Sequence, residues 1–435
     1  MNILFISKDL SGADLCYRLK KEGHYVRLFI EDKKQIHNFE GLVEKTTDWK
    51  KDLDWIGKTG LIVFDSSGYG KVQDDLRGKG YLVVGGNQFA DKLEHDRQYG
   101  QKILSVCGMK IIPSVNFSST KSAIKFVEEN NGPWVVKQNG HINTSFNYVG
   151  QLNNGKDVIS VLKNYNRNNK KECLSIDLQK KIKGVEIGVA RYFNGNDWVG
   201  PIEINLEHKS LFNDKLGPKT FEMGTLIWYE ENEKNQLFQE TLAKMKAYLR
   251  KINFKGDIDI NCIVMQNEIF PLEITPRFGW PSTHLHEEIH ISPWGEFLRA
   301  IAQGKSYDLK YKKGYGIVVL LATPPFPYVI RTKKYYPEGM DILFKKELSE
   351  EDMRHIHLEE VSLRNNKKET SQLYISGKTG FALHVTGMGE TVKEARKKTY
   401  DLIDNIVIPK VFYRTDIGLK FIKEDEKKLR DWGWI

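Results

Sequence analysis

The feature that most constrains the fold is an alternation of short apolar runs and amphipathic segments over the first hundred residues. Four strand-like runs are predicted at 3–7, 25–30, 61–65 and 81–85. A helix is predicted through Leu15, Leu19 and Lys20, between the first two runs. Short apolar runs with helices between them are typical of parallel strands that are buried on both faces. The sequence therefore predicts a parallel α/β unit, with ligands at the carboxyl ends of its strands.

The middle of the chain has a different pattern. A strand is predicted over 134–137, and the small and polar residues that follow it over 138–145 have the composition of a flexible lid over phosphate. Three more strands are predicted at 185–193, 259–264 and 270–274. One helix is predicted from a shared apolar face formed by Leu237, Leu242, Met245 and Leu249.

The pattern changes again from about residue 307, where strands are predicted at 315–322 and 380–386. A helix is predicted to begin at Thr391, because Glu394 three residues later completes the spacing of a capping box. In that motif the two side chains satisfy exposed backbone donors at a helix start. A chain of 435 residues is expected to form two to four domains.

Composition narrows the class of protein. Apolar residues make up 40% of the chain and charged residues 28%, which is typical of globular proteins. No segment approaches an uncharged apolar run of about 18 residues, and the apolar N-terminal stretch lacks the basic flank and cleavage site of a signal peptide. The four cysteines are far apart in the sequence and indicate neither a zinc site nor a disulfide framework. We therefore expect a cytoplasmic protein with reduced thiols.

The formal net charge of +9 is compatible with a nucleic-acid ligand. The lysines, however, are scattered along the chain and are not clustered with stacking aromatic residues. Anionic small substrates explain the charge at least as well. We therefore expect small-molecule partners, with no nucleic acid and no membrane.

The most distinctive local motif is Leu-Glu-Ile-Thr-Pro-Arg-Phe-Gly at 272–279, at the end of an apolar strand. Glu273 offers the hard oxygen ligands that a divalent metal on ATP needs, and Arg277 offers a fork of donors for phosphate or carboxylate. The alternative interpretation is a surface salt bridge between these two side chains.

Two weaker features accompany this motif. Lys137 follows three apolar residues, so its ammonium could reach phosphates at the edge of a buried strand, although a lysine at a strand end is usually only solvated. Glu-His-Lys at 207–209 is followed by Gly-Pro-Lys-Thr-Phe-Glu-Met-Gly at 217–224, whose turn could present backbone donors to an anion. By itself that segment would be an ordinary surface turn.

In order and spacing, these segments resemble glycinamide ribonucleotide synthetase, the phosphoribosylamine–glycine ligase family of the ATP-grasp superfamily. In that family Asp-His-Lys precedes Gly-Pro-Asn-Thr-Gly-Gly-Met-Gly, and Glu-Phe-Asn-Cys-Arg-Phe-Gly-Asp-Pro-Glu is similar to 273–282 here. Three further segments are very similar to the closing domain of the family, at 385–391, 394–396 and 412–418. The resemblance runs nearly from end to end.

The resemblance implies roles for individual residues in ATP binding and catalysis. Arg97 takes the place of the first ATP lysine, Lys137 that of the second, and Glu186 the acidic position near the nucleotide ribose. Lys137 and Arg277 would be the catalytic residues, with Arg277 facing phosphate or the substrate carboxylate. The implied cofactors are ATP and Mg²⁺ (or Mn²⁺).

The resemblance also implies ligands for the metal and the substrates. Glu273 would hold the metal, Thr275 takes the place of the family's asparagine, and Asn261 lies where other ATP-grasp enzymes often carry an acidic ligand. Substrate binding is implied for Lys219, Thr220, Arg277 and Gly279.

The sequence departs from the family pattern most strongly in its first loop. The family's Gly-Ser-Gly-Gly-Arg-Glu-His-Ala, which helps to hold phosphoribosylamine, is replaced at 7–14 by a segment without the close-approach glycines and the arginine. Lys8 and Ser11 could still contact a phosphate at a helix start. The lid glycines after Lys137 are also replaced. Other family residues are replaced by Lys219, Phe221, Glu222, Thr275 and Trp280.

The implied fold class combines α/β and α+β parts in three lobes. These are an N-terminal parallel α/β domain at 1–98, an ATP-grasp domain at 99–305 with a lid subdomain at about 120–185, and a C-terminal α+β domain at 306–435. The implied reaction passes the γ-phosphate of ATP to a carboxylate, and an amine then attacks the acyl phosphate to give an amide, ADP and phosphate. The expected assembly is a monomer or homodimer.

Three hypotheses remain open. The chain joins glycine to phosphoribosylamine, or it is a sister ligase for another amino acid or amine, or it is a homologue that binds nucleotide without turnover. The intact C-terminal segments favour the first hypothesis, the altered first loop favours the second, and Thr275 in place of asparagine supports the third. The joint presence of Lys137, Glu186, Glu273 and Arg277 argues against the third.

Overall fold

The computed structural model of the chain describes residues 1–138, 147–168, 176–328, 337–364 and 371–435. The predicted phosphate lid at 138–145 and Cys173 therefore lie almost entirely outside the described residues. In the described part, Cys16, Cys107 and Cys262 are free thiols. None of the described helices combines the length and the apolar character that a membrane crossing requires.

The N-terminal part is a five-stranded parallel sheet, as the alternating pattern predicts. Its strands are β1 (Asn2–Ser7), β2 (Tyr25–Ile30), β3 (Glu44–Thr46), β4 (Leu61–Phe64) and β5 (Leu82–Val84). Their order in the sheet is β3-β2-β1-β4-β5. The helices of this part are α1 (Ala13–Lys21), α2 (Leu53–Ile56), α3 (Gly70–Gly78), α4 (Gln88–His95) and α5 (Arg97–Val106). The central strands are apolar on both faces because helices cover both sides of the sheet.

A small antiparallel sheet follows, with order β6-β9-β7-β8. Its elements are β6 (Ser114–Phe117), α6 (Thr120–Glu129), β7 (Trp134–Gln138), β8 (Tyr148–Val149), α7 (Lys156–Asn168) and β9 (Ile176–Lys180). It has its own apolar cluster, in which α6 and α7 pack on the sheet through Val127, Val136, Val158 and Leu178. Most of this sheet lies within the range of about 120–185 predicted for the lid subdomain, and β6 lies before it.

The largest sheet has eight antiparallel strands in the order β14-β13-β10-β11-β12-β15-β20-β17. Its first five strands along the chain are β10 (Val185–Asn194), β11 (Trp198–Glu207), β12 (Gly224–Glu230), β13 (Lys255–Val264) and β14 (Ile269–Thr275). The others are β15 (Tyr315–Ala322), β17 (Ile356–Leu358) and β20 (Phe381–Gly389). Because β12 pairs with β15, the sheet is continuous across the expected boundary at 305. The predicted boundaries of the three domains and of the lid subdomain stay predictions.

The remaining elements cover this large sheet or flank it. The helices are α8 (Gln236–Glu240), α9 (Leu242–Lys251), α10 (Ser282–Ile289), α11 (Trp294–Gln303), α12 (Glu350–Arg354), α13 (Val392–Ile403) and α14 (Glu426–Asp431). Two short strand pairs are β16 (Leu343–Phe344) with β21 (Ile406–Val407), and β18 (Val361–Arg364) with β19 (Gln372–Ile375). The mixture of a parallel α/β sheet with antiparallel sheets confirms the predicted fold class.

Two details of the helix predictions differ from the structure. The single helix predicted through Leu237 and Leu249 is wrong, because Thr241 leaves helical geometry at φ −127° and ψ −98° and separates α8 from α9. Its hydroxyl donates to the carbonyl of Leu237 at 2.5 Å. Such side-chain hydrogen bonds to the backbone compete with the regular hydrogen bonds of a helix. At α13, Thr391 is the N-cap as predicted, but the Glu394 carboxylate accepts from the backbone N–H of Glu390 and not from that of Thr391.

Candidate active site

A cluster of carboxylates and an amide forms where β13 and β14 run side by side. Asn261 lies directly opposite Glu273, and Thr275, two residues further along β14, lies opposite Asp259. Glu273 is therefore placed by strand register beside the residue that the sequence suggested as a second metal ligand. The Oδ1 atom of Asn261 is buried and has no hydrogen-bond partner in the described part of the chain. A buried amide oxygen without a donor is uncommon, and it is a ligand that a hard cation accepts.

Glu207, at the end of β11, completes this cluster. Lys209 Nζ lies 2.7 Å from Glu207 Oε2 and 2.9 Å from Glu273 Oε1, so one ammonium joins the two carboxylates. Asn261 Nδ2 also donates to Glu207 Oε2. The charge of Lys209 lowers the pKa of Glu273 to about 2, whereas burial raises the pKa of Glu207. Glu273 is thus ionised at any working pH.

Arg97 reaches this cluster through a local irregularity of β14. A β-bulge next to Asn261 leaves the carbonyl of Leu272 free, and that carbonyl accepts from Arg97 Nη1 at 3.4 Å and from Gln101 Nε2 at 3.0 Å. Arg97 is the first residue of α5, whose N-cap Asp96 accepts from the N–H of Tyr99 at 3.1 Å. Bulges often redirect groups towards active sites in this way.

Lys137 lies on β7 of the small sheet and faces the same cleft. Loss of water around the ammonium and the nearby charge of Arg97 lower its pKa to about 8, while Glu273 and Glu186 act in the opposite direction. Glu186 is an exposed residue of β10 whose charge also acts on Lys209. The structure therefore brings together Arg97, Lys137, Glu186 and Glu273, which the sequence proposed separately.

The Gly-Pro loop between β11 and β12 folds back on Lys209. Thr220 donates to the carbonyl of Lys209 through its N–H at 2.7 Å and through its hydroxyl at 3.0 Å. The hydroxyl thus holds the loop in place, whereas the side chain of Lys219 is exposed. Glu222, which replaces a family glycine, is 2% exposed, and burial raises its pKa well above its usual value.

The other replacements in this region form an aromatic surface. Phe221 is 73% exposed, and its ring centroid lies 6.4 Å from that of Trp280 and 6.3 Å from that of Phe381. Trp280 and Phe381 pack edge to face at 5.4 Å. Two positions that are glycine and aspartate in the family pattern thus contribute a wide apolar wall beside the Gly-Pro loop.

Arg277 does not form the salt bridge with Glu273 that was the alternative interpretation of their motif. Its Nε and Nη2 atoms each lie 3.2 Å from Glu94 Oε1 on α4, and its Nη1 donates to the carbonyl of Phe278 at 2.8 Å. Burial by itself would lower the pKa of Arg277, but Glu94 and Asp9 raise it. Gly279 begins the turn into α10, where its carbonyl accepts from both the N–H and the hydroxyl of Thr283.

The first loop, between β1 and α1, is filled by carboxylates of the protein itself. Asp65 Oδ2 accepts from Ser7 Oγ at 2.6 Å and from the N–H of Gly12 at 2.9 Å. Asp9 Oδ1 accepts from Ser11 Oγ at 2.5 Å, so the Ser11 hydroxyl that was expected to contact a phosphate is already engaged. Burial and the charge of Asp9 raise the pKa of Asp65 to about 6.

Sequence reasoning missed the roles of Glu207 and Lys209 in this site. The signal was present, because Glu-His-Lys at 207–209 takes the place of the family's Asp-His-Lys, but no role was assigned to it. Only the pairing of β10 with β11 and β13 shows that these side chains meet Glu273.

Comparisons with known proteins agree with this architecture. Residues 318–420 match the family model for the phosphoribosylglycinamide synthetase C domain. Phosphoribosylamine–glycine ligase of Helicobacter pylori is 24% identical over 361 residues, which is 80% of this chain and 78% of that protein. The enzyme of the same name from Fusobacterium nucleatum is 23% identical over 460 residues, which is 97% of this chain and 99% of that protein.

Solved structures share the fold. The crystal structure of phosphoribosylamine–glycine ligase from Thermotoga maritima gives a TM-score of 0.69 at 18% identity, covering 96% of this chain and 100% of that chain. Biotin carboxylase from Campylobacter jejuni, solved with β-γ-ATP, gives a TM-score of 0.63 at 12% identity, covering 98% of this chain and 95% of that chain. The chain therefore has the ATP-grasp fold and is a relative of the phosphoribosylamine–glycine ligases.

Proposed function

We propose that this chain is an ATP-dependent ligase that joins a carboxylate to an amine through an acyl phosphate. The relatives are named for two substrates, glycine and phosphoribosylamine. With ATP, these two substrates would give glycinamide ribonucleotide, ADP and phosphate. The observation that carries the proposal is the convergence of Arg97, Lys137, Glu186 and Glu273 from four elements on one cleft. Their placement supports the roles that the resemblance implied.

The cleft has the charges that ATP and a divalent metal need. Arg97 and Lys137 provide positive charge for phosphates, and Glu273, Glu207 and the unpartnered Oδ1 of Asn261 provide oxygen ligands for Mg²⁺ or Mn²⁺. When bound, the metal would supply positive charge beside the phosphates. The Lys209 ammonium already pairs with the carboxylates of Glu207 and Glu273. On metal binding it would move away from these carboxylates or share them with the ion. Thr275 lies next to this group as a fourth candidate ligand.

The side chains of the cleft suggest how the reaction is assisted. The γ-phosphoryl group moves from ATP to an oxygen of the substrate carboxylate, and ADP leaves. The amine nitrogen then attacks the carbonyl carbon, and phosphate leaves with the bonding electrons while the nitrogen loses a proton. Lys137 would hold the phosphates in line. Arg277, whose Nε and Nη2 already contact Glu94, would face the carboxylate or the acyl phosphate with its remaining N–H groups and its positive charge. Positioning and charge neutralisation are the main contributions of proteins to phosphoryl transfer.

A second candidate is a ligase that uses an amine without a phosphate group at the first loop. The start of α1, where backbone N–H groups favour an anion, is occupied by the Asp65 carboxylate, and Asp9 adds a second negative charge. A substrate phosphate would be repelled there. The exposed ring of Phe221, which lies against the partly buried Trp280, also favours a substrate with an apolar part.

The proposal is tested by metal-dependent release of ADP. The assay supplies phosphoribosylamine generated in place, with and without glycine, and then a panel of other amino acids and amines. Turnover that needs both natural substrates supports the first pair, and turnover only with other pairs supports the second candidate. If the protein binds ATP but turns over no pair of substrates, the chain is a homologue that binds nucleotide without catalysis.

Other properties inferred from the sequence stay predictions. These are the cytoplasmic location, the monomeric or homodimeric state, and the substrate-binding roles of Lys219, Thr220 and Gly279.

A further inference from the structure

Three segments that are far apart in the sequence meet in a buried cluster of histidines and carboxylates. Asp14 lies on α1, His284 and Glu287 lie on α10, and His357 lies on β17. All four side chains are buried, and one ligand atom from each lies within 4.8 Å of all the others. The cluster shares no residue with the ATP cleft described above.

Hydrogen bonds inside the cluster are incomplete. Asp14 Oδ2 and His357 Nδ1 lie 2.9 Å apart and form one pair. His284 Nδ1 and Glu287 Oε1 lie 3.6 Å apart, and neither atom has a hydrogen-bond partner among the described residues. Buried polar atoms are rarely left without a partner, because an unsatisfied group loses its hydration without a compensating hydrogen bond. A group at the centre of the cluster would give His284 Nδ1 and Glu287 Oε1 the partner that they lack.

The outward nitrogens of both imidazoles are already bound. His284 Nε2 lies 2.9 Å from Glu359 Oε1, and His357 Nε2 lies 3.1 Å from Thr386 Oγ1. Once His357 Nδ1 releases the proton that it shares with Asp14, a proton on each Nε2 leaves the lone pair of each Nδ1 pointing into the cluster. Histidines that ligate a metal almost always have such an outer partner, which fixes the ring and its tautomer. Asp14 is fixed in the same way, since its Oδ1 accepts from the N–H of Leu358 at 3.0 Å.

A second set of three residues, His284, Glu359 and His384, is also close enough to hold an ion. Its carboxylate oxygen is already surrounded by donors, because Trp280 Nε1 donates to Glu359 Oε1 at 2.8 Å and both imidazoles approach that atom to 2.9 Å. An oxygen that already bonds Trp280 Nε1 and His284 Nε2 and has a third ring nitrogen at 2.9 Å is a poor metal ligand. Glu359 is therefore the outer partner of His284, and the first set is the better site.

We propose that Asp14, His284, Glu287 and His357 form a structural site for one divalent transition-metal ion of the zinc type. Burial by itself would lower the pKa of His284, but the Glu287 and Glu359 carboxylates raise it to about 10, so an ion would displace its Nδ1 proton. Two neutral imidazoles and two carboxylates would then balance the charge of a dication, and four protein ligands would close the coordination sphere as in structural zinc sites. The ion would fasten α1 to α10 and β17. It would also fix the segment before α10, which carries Arg277 and Trp280. No cysteine is involved, which is why the cysteine spacing did not indicate this site.

Metal content of the whole chain tests the site. Purified protein is incubated with Zn²⁺, passed through a desalting column without nucleotide, and analysed for bound ion, and Co²⁺ is used in parallel for its visible absorption. We expect about one ion per chain and the intense visible bands of four-coordinate Co²⁺. Glu273→Gln should keep this ion, because Glu273 belongs to the ATP cleft. Wild-type protein that retains less than about a tenth of an ion per chain would overturn the proposal and leave only a network of hydrogen bonds.

Variants assign the ion to the cluster. His357→Gln should lose the ion. The matched control is His290→Gln, which should keep it, because His290 is a buried histidine at the C-terminal end of α10 that pairs with Tyr229. Asp14→Asn has the same shape and should weaken Zn²⁺ binding at least about tenfold even if His357→Gln fails to fold. At one Zn²⁺ concentration, the ion should raise the Tm of the wild type and of His290→Gln more than that of Asp14→Asn. An unchanged ion content in folded Asp14→Asn and His357→Gln would place the ion elsewhere and refute the assignment.

Discussion

At the scale of single residues, the charge of Lys137 depends on its surroundings in the cleft. Its pKa of about 8 means that the ammonium is charged below pH 8 and neutral above it. If the charged form binds ATP, kcat/KM for ATP should fall about tenfold per pH unit above pH 8, because kcat/KM reports the free enzyme. Lys137→Arg should remove this decline between pH 8 and 10, since a guanidinium stays charged. A decline that persists in Lys137→Arg would belong to another group.

Glu273 is the residue whose charge the cleft needs at every working pH. Glu273→Gln removes this charge. Among the described residues, Lys209 then keeps its ion pair with Glu207, and the metal loses one carboxylate ligand. We expect ATP turnover to fall at least about a hundredfold while the circular dichroism spectrum is unchanged. Glu268→Gln is a matched control, because Glu268 lies in the turn before β14 and pairs with Lys110. An unchanged rate in Glu273→Gln would remove this residue from the metal site.

At the scale of elements, the start of α13 offers a local test of stability. The Thr391 side chain accepts from the N–H of Glu394, so Thr391→Ala leaves that donor without a partner. The loss should cost about 1 kcal/mol, and Thr391→Ser should recover most of it. Thermal unfolding of the two variants measures the difference, which we expect to be about 1–3 °C for a chain of this size. Equal Tm values for Thr391→Ala and the wild type would mean that water replaces the cap.

The same scale shows why the elements could be predicted from the sequence and the site only in part. Apolar runs such as β1 and β4 are specified locally, so their pattern is visible in the sequence. The break at Thr241 depends on one hydroxyl that bonds the carbonyl of Leu237, which periodicity does not show. The contact of Lys209 with Glu273 depends on the pairing of four strands. Arg277 likewise finds Glu94, 183 positions away, and no local rule gives that partner.

At the scale of the whole molecule, the eight-stranded sheet unites parts that the sequence assigned to different domains. β12 lies between β11 and β15, and its residues Leu226 and Ile227 are fully buried. Ending the chain at residue 305 would remove β15 and β20 and expose β12 as a long apolar edge, which is a template for aggregation. By contrast, the small sheet that carries Lys137 has its own apolar cluster and shares no strand with the large sheet.

We therefore expect the fragment 1–305 to aggregate, whereas the full chain unfolds cooperatively. Coexpression of the fragment 306–435 should restore soluble protein, because β15 can pair with β12 without a covalent link. Soluble yield and size-exclusion chromatography measure both outcomes, with the intact chain carrying the same tag as the control. A soluble 1–305 fragment that unfolds cooperatively would show that the boundary at 305 separates independent domains despite the shared sheet. Aggregation rescued by the second fragment would instead mean that the cleft and the C-terminal part fold as one unit, so that changes in the C-terminal part reach the active site through β12 and β15.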